Sequence, residues 1–178
     1  MVGRSGTRVR IATSVVVVLV ALSTCAAGLA AAHGRTSSST ARCATPRLVV
    51  WVVPNSGGGA AGSFFYDLNF TNLSGHVCTL AGYAGVSSID LRGRQVGSAA
   101  GRNPQTPFRV VTLRPGDTAS AVLQISQAAN FPAGDCHLVD AAGLRVYPPG
   151  AFASKVAPLP FSACSRRGPV YLHVERVR

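Results

Sequence analysis

Phe64, Tyr66, Leu68 and Phe70 alternate with Phe65, Asp67, Asn69 and Thr71, the period of two shown by a strand with one buried face. The same parity returns near the C-terminus. Leu144 and Val146 bracket Arg145, and Val170, Leu172 and Val174 alternate with Tyr171, His173 and Glu175, so that Tyr171 and His173 are expected to face away from the core. A β-branched run from Leu48 to Val53 closes on Pro54-Asn55-Ser56-Gly57-Gly58-Gly59, which reads as an irregular loop. Phe70 to Tyr83 reads as the end of one strand, a polar turn at Asn72-Leu73-Ser74-Gly75, and a return strand carrying Cys78.

Turn chemistry fills the gaps between these runs. Val86 to Leu91 and Gln95 to Ser98 flank Arg92-Gly93-Arg94 as a hairpin. Phe108 to Leu113 and Thr118 to Ile125 flank Arg114-Pro115-Gly116-Asp117, where proline fixes φ at the second position and glycine takes the positive φ at the third, a type II turn. Pro148-Pro149-Gly150 and Pro158-Leu159-Pro160 rule out long helices late in the chain. Apart from a short turn at Gln127 to Asn130, no segment has a helical period. The expected fold is all-β: an immunoglobulin-like antiparallel β-sandwich of about eight or nine short strands.

The N-terminus follows a different pattern. Arg4, Arg8 and Arg10 precede an uncharged apolar run from Ile11 to Leu22 and small residues up to Ala32, the order of a secretory signal. Ala30-Ala31-Ala32 fits a signal peptidase, which puts cleavage after Ala32. Two alternatives stand beside it. Leu22-Ser23-Thr24-Cys25 resembles a lipoprotein box with Cys25 as the lipidated residue, and Ile11 to Ala32 is long enough to stay in the bilayer as an anchor. All three place the body outside the cytoplasm. The resulting organisation is a signal at 1–32, a flexible Ser/Thr linker at 33–42 and a β-sandwich domain at 43–178.

Of five cysteines, Cys25 belongs to the signal and Cys43, Cys78, Cys136 and Cys164 remain, an even set that predicts two disulfides in an exported domain. Three pairings are possible on paper. Cys43 with Cys78 and Cys136 with Cys164 is preferred, because each bond joins neighbouring strand regions within one half of the domain. No pair has the C-x-x-C spacing of a zinc site.

The formal net charge of +11 includes the three N-terminal arginines. The remaining excess favours an anionic envelope component as partner. Arg92, Arg94, Arg102, Arg109, Arg114, Arg145 and Arg166-Arg167 are spread along the chain, without the interleaved aromatics of a nucleic-acid platform, so no nucleic acid is expected. Contact with a membrane is expected only through the N-terminal segment, if it is retained or lipidated.

From Cys43 onward the chain resembles the exported actinobacterial domains grouped as DUF family 4232. The resemblance rests on Cys43, on Phe70-x-Asn72-x-Ser74-Gly75 leading to Cys78-x-Leu80-x-Gly82-Tyr83-x-Gly85-Val86, on Leu113-x-Pro115-Gly116, and on Cys136 with Cys164 before a last strand. Ala84 stands where the family often has proline. The resemblance implies a secreted or lipid-anchored β-sandwich and supplies no catalytic residues.

Motifs for chemistry are few. The chain has no G-x-S-x-G elbow, H-E-x-x-H helix, P-loop or dinucleotide glycine motif, and its six acidic residues are widely spaced. Cleavage after Ala32 would make His33 the new N-terminus, whose amine and imidazole could chelate copper. The plainer reading, adopted here, is a linker that begins with histidine, because a Ser/Thr tether would leave such a site floating. No catalytic residue, cofactor or metal is expected. The sequence therefore predicts an exported, non-catalytic binding or structural module, with an envelope hydrolase or a copper enzyme using His33 as the alternative.

Overall fold

A computed structural model describes Gly3, residues 40–60 and residues 62–178; the signal-like segment, Cys25 and His33 lie outside them. Eleven strands occur among the described residues. In chain order they are β1 Leu48–Ala60, β2 Ser63–Asn72, β3 Cys78–Ala81, β4 Gly85–Ile89, β5 Gln95–Val96 and β6 Gly101–Arg102. The second half supplies β7 Val110–Leu113, β8 Thr118–Ser126, β9 Leu138–Tyr147, β10 Lys155–Cys164 and β11 Leu172–Val174. The two-residue strands β5 and β6 account for the surplus over the expected number. Short helical turns occupy Thr45–Arg47 and Ala128–Asn130, the second where a turn was expected, and a single α-turn, α1, spans Ala133–Cys136.

The strands form a five-stranded sheet in the order β1-β2-β8-β11-β6, a four-stranded sheet in the order β10-β9-β4-β5, and a two-stranded sheet of β3 and β7. The two larger sheets make a sandwich-like arrangement. Pairing is antiparallel except for β6, which runs parallel to β11. Leu68, Phe70, Ala121, Leu123, Leu172 and Val174 from one sheet and Val86, Leu144, Val146 and Ala157 from the other are buried in a continuous core. The alternation in β2, β9 and β11 is the physical origin of that layer, since every second side chain of a pleated strand faces the same way.

Three expectations need correction. The first concerns Pro54–Ala60, which continues β1 rather than forming an irregular loop. β1 is an edge strand, where proline's missing N–H costs no ladder bond, and the register slips between Pro54 and Gly59 to absorb the extra residues. The Asn55 amide donates to the Asp67 carboxylate at 2.8 Å and holds that bulge against β2.

The second correction concerns β3, which does not return along β2 but pairs with β7, Cys78 opposite Leu113. The type II turn is present: Asp117 N donates to Arg114 O at 3.0 Å and Gly116 has φ +86°. It carries the chain from the small sheet into the five-stranded one, because β7 and β8 lie in different sheets.

The third correction is Tyr171, which is fully buried rather than outward-facing. Strand pairing begins only at Leu172, so Tyr171 lies outside the alternation and turns its ring toward the opposite sheet. Its hydroxyl forms a hydrogen-bonded pair with Ser88 and reaches Val96 O at 3.2 Å. Gly97 makes room: a Cβ there would lie 3.2 Å from the Tyr171 ring and 2.1 Å from Cys164 O.

Burial raises the Tyr171 phenol above its ordinary value of 10.0, and the Ser88 hydrogen bond opposes that only in part. An acid kept neutral in the fold, but free to ionise when unfolded, stabilises the protein fully below the unfolded pKa and loses that contribution as pH rises through the folded one. Stability should therefore fall above about pH 10, and Tyr171→Phe should flatten the alkaline limb. Urea midpoints across that range check this; parallel alkaline limbs would show that Tyr171 does not carry it.

Candidate functional site

The turn between β2 and β3 is organised by one side chain. Asn72 is buried, and its Oδ1 accepts from Ser74 N at 2.9 Å while its Nδ2 donates to His76 O at 2.9 Å and Leu113 O at 3.1 Å. The Ser74 hydroxyl lies 2.7 Å from Asn72 Oδ1 and 2.9 Å from His76 O. The backbone of Asn72 meets the second turn, with Asn72 N donating to Asp117 O and Gly116 N to Asn72 O. Asparagine suits this role because its amide carries both donors and acceptors on a short stem.

The start of the domain is fastened beside this turn. Cys43 is bonded to Cys78, Cys43 N donates to Thr79 O, Thr79 N donates to Ala41 O, and Leu73 N donates to Arg47 O. Together these segments border a cavity of about 360 Å³ lined by Arg42, Ala44, Arg47, Ser74, Gly75, His76 and Cys78. Its charge is one-sided. Among the described residues the ion pairs are Arg94–Asp90 and Arg178–Asp67, so neither Arg42 nor Arg47 has a carboxylate partner. Two arginines without a carboxylate partner in one concave wall attract an anion, Arg42 with its guanidinium lying against Gly150 at the edge.

Other cavities fit an anion less well. One of about 460 Å³, beside α1, has Asp135 in its wall as well as Arg166 and Arg167. A groove of about 370 Å³ lined by Phe64, Tyr66, Ile125, Pro160 and Phe161 is mainly apolar.

Three of the acidic side chains, Asp90, Asp117 and Glu175, serve the structure. Asp90 accepts from Arg92 N and Arg94 N and pairs with the Arg94 side chain, closing the β4–β5 hairpin. The backbone N–H of Arg94 is the main cause that holds its carboxyl below the usual value of 3.8. Asp117 accepts from Arg114 N, and Glu175 accepts from the Thr106 hydroxyl.

The residues singled out in the sequence are brought together only in part. Cys43–Cys78 and Cys136–Cys164 form the two expected disulfides. His76 is in the turn before β3, His137 ends α1 and His173 is in β11, so the three do not converge. Among the described residues no group of three His, Cys, Asp or Glu side chains is placed to hold a metal. Cys25 and His33 lie outside the described residues.

One pair resembles a catalytic dyad: His137 Nδ1 lies 3.1 Å from Ser165 Oγ. The same hydroxyl lies 3.0 Å from His137 O, a carbonyl that can only accept, and when its single proton goes there Nδ1 is the donor to Oγ. In that arrangement the ring nitrogen does not accept the serine proton, and the pair ties α1 to the end of β10.

Arg42 and Arg47 were not recognised from the sequence. The expected Cys43–Cys78 bond already implied that Arg42 and His76 would be neighbours, and this was the one signal that could have found the cavity.

No curated protein matches the chain. A family described as Domain of unknown function (DUF4232) matches residues 43–177, from the first bonded cysteine to the penultimate residue, and so includes both disulfides and the Asn72 turn. The chain belongs to this family.

Proposed function

We propose that the protein is an exported, non-catalytic binding module of the cell envelope or its surroundings, and that the cavity over Cys43–Cys78 receives an anionic group of an envelope component. The observation that carries this reading is the cavity wall itself, where Arg42 and Arg47 have no carboxylate partner among the described residues. Export is supported by the two disulfides, which persist in oxidising compartments, and by the signal-like residues 1–32. No helix among the described residues is long and apolar enough to cross a membrane. The proposed tether at 33–42 then ends in Ala41 and Arg42, which are fastened to Thr79, and lipidation of Cys25 in place of cleavage after Ala32 would hold the module at a membrane surface.

Binding of dextran sulfate, with neutral dextran as control, tests the reading. The native protein should bind the sulfated polymer and not the neutral one, with affinity falling as salt is raised, because exposed charges are screened beyond a Debye length of about 8 Å at physiological salt. The double substitution Arg42→Ala, Arg47→Ala should weaken binding at low salt by about tenfold. Binding that ignores salt, or that survives the double substitution intact, would overturn the assignment.

A further inference from the structure

A second cationic arrangement lies where the C-terminal strand meets β6. Tyr83 forms an isolated antiparallel bridge with Arg176, and Arg176 Cζ lies 5.0 Å from the centroid of the Tyr83 ring. Arg102, in β6, brings a second guanidinium to 5.4 Å from the same centroid. The two cationic carbons are thus separated by at most the sum of these distances, about 10 Å, one Debye length at 0.1 M salt. An aromatic face attracts each cation by about 0.5 to 1 kcal/mol at an exposed site, but it carries no charge and neutralises neither.

Arg176 is held in place. Its Nη1 donates to Pro104 O at 3.3 Å and to Thr106 O at 2.8 Å, so the loop from Asn103 to Pro107 wraps around it. Nη2 and Nε remain as donors. Arg102 is exposed, and neither arginine is ion-paired among the described residues. Glu175, the adjacent acid in the chain, is engaged with the Thr106 hydroxyl.

The geometry points to an anion site at Tyr83, separate from the cavity at Cys43–Cys78, that takes a phosphate group. A planar carboxylate matches a single guanidinium fork. Two forks reaching one ring, Arg102 from β6 and Arg176 from the bridge beyond β11, suit an oxyanion whose oxygens point in several directions, which is the tetrahedral geometry of phosphate. Because the Asn103–Pro107 loop already fixes Arg176, that side chain has little freedom left to lose on binding.

The test is a titration of inorganic pyrophosphate into the native protein at low salt, following the arginine Nε–Hε signals by NMR. Arg102 and Arg176 should shift together along one binding curve. Arg102→Ala, at an exposed position, should weaken the curve read at Arg176 by about tenfold, and Arg102→Lys, which keeps charge without the fork, should fall between. Arg42→Ala with Arg47→Ala should leave that curve unchanged, so this site and the cavity stand or fall separately. An Arg176 curve indifferent to Arg102→Ala would overturn the site. Malonate shifting both signals as strongly as pyrophosphate would overturn the phosphate assignment.

Discussion

Replacing Asn72 by alanine lowers the unfolding free energy by about 3 kcal/mol, seen as a lower urea midpoint with an unchanged slope. The side chain is 1% exposed, so water cannot take over its contacts. It accepts from Ser74 and donates to the carbonyls of His76 and Leu113, and each such bond contributes about 1 kcal/mol net. The Leu113 contact also ties the β2 end to β7, in another sheet, which propensity in the turn alone cannot replace. Asn72→Asp separates the two halves of the amide. It keeps an acceptor for Ser74 but points a carboxylate at two carbonyls, so its stability should recover on acidification as the buried acid is protonated. Both variants should also weaken binding at the neighbouring cavity, because Ser74 and His76 line it. A midpoint shift equivalent to less than about 1 kcal/mol in Asn72→Ala would mean that the turn is held by its backbone bonds instead.

Removing the Cys136–Cys164 bond by the double substitution to alanine costs about 3 to 4 kcal/mol on the chain-entropy model, given the sequence separation of 28. Both cysteines are fully buried. The bond joins α1 to the end of β10, a junction also made by Ser165 N to His137 O, Arg166 N to Cys136 O and the contacts of the Ser165 hydroxyl with His137. The Cys43–Cys78 bond, with a separation of 35, has a similar expected effect. Losing both removes about 7 kcal/mol from a domain whose class has about 5 to 15 in total, so the reduced protein should be marginal or unfolded. Urea unfolding of each double alanine variant, beside native protein with and without reductant, measures this. A fully reduced protein as stable as the oxidised one would remove the disulfide argument for an oxidising compartment.

The two arginine clusters illustrate what a charge count leaves out. Along the chain the cations look scattered, and the bland reading of a basic surface follows. In the fold, Arg42 and Arg47 meet the β2–β3 turn through a disulfide, and Arg102 and Arg176 meet at Tyr83 through the parallel pairing of β6 with β11. Both gatherings depend on contacts between segments distant in sequence. The candidate site was therefore legible only as far as the Cys43–Cys78 pairing was, while the turn that shapes it was visible in Asn72, Ser74 and Gly75.

By itself the sequence determined the strand-rich class, the β4–β5 hairpin, the type II turn at Pro115-Gly116 and the two disulfides. These follow from local signals: a period of two, glycine where φ is positive, and cysteines spaced to join neighbouring strands. Only the tertiary structure decided that β3 leaves β2 for β7, that Pro54–Ala60 stays in the edge strand, that Tyr171 turns inward beside Gly97, and that pairs of arginines converge. The physical reason is that alternation says which side of a strand is buried but not which strand lies beside it. Strand partnership is settled by packing and hydrogen bonding across the whole core, and the surface charges go where that packing carries them.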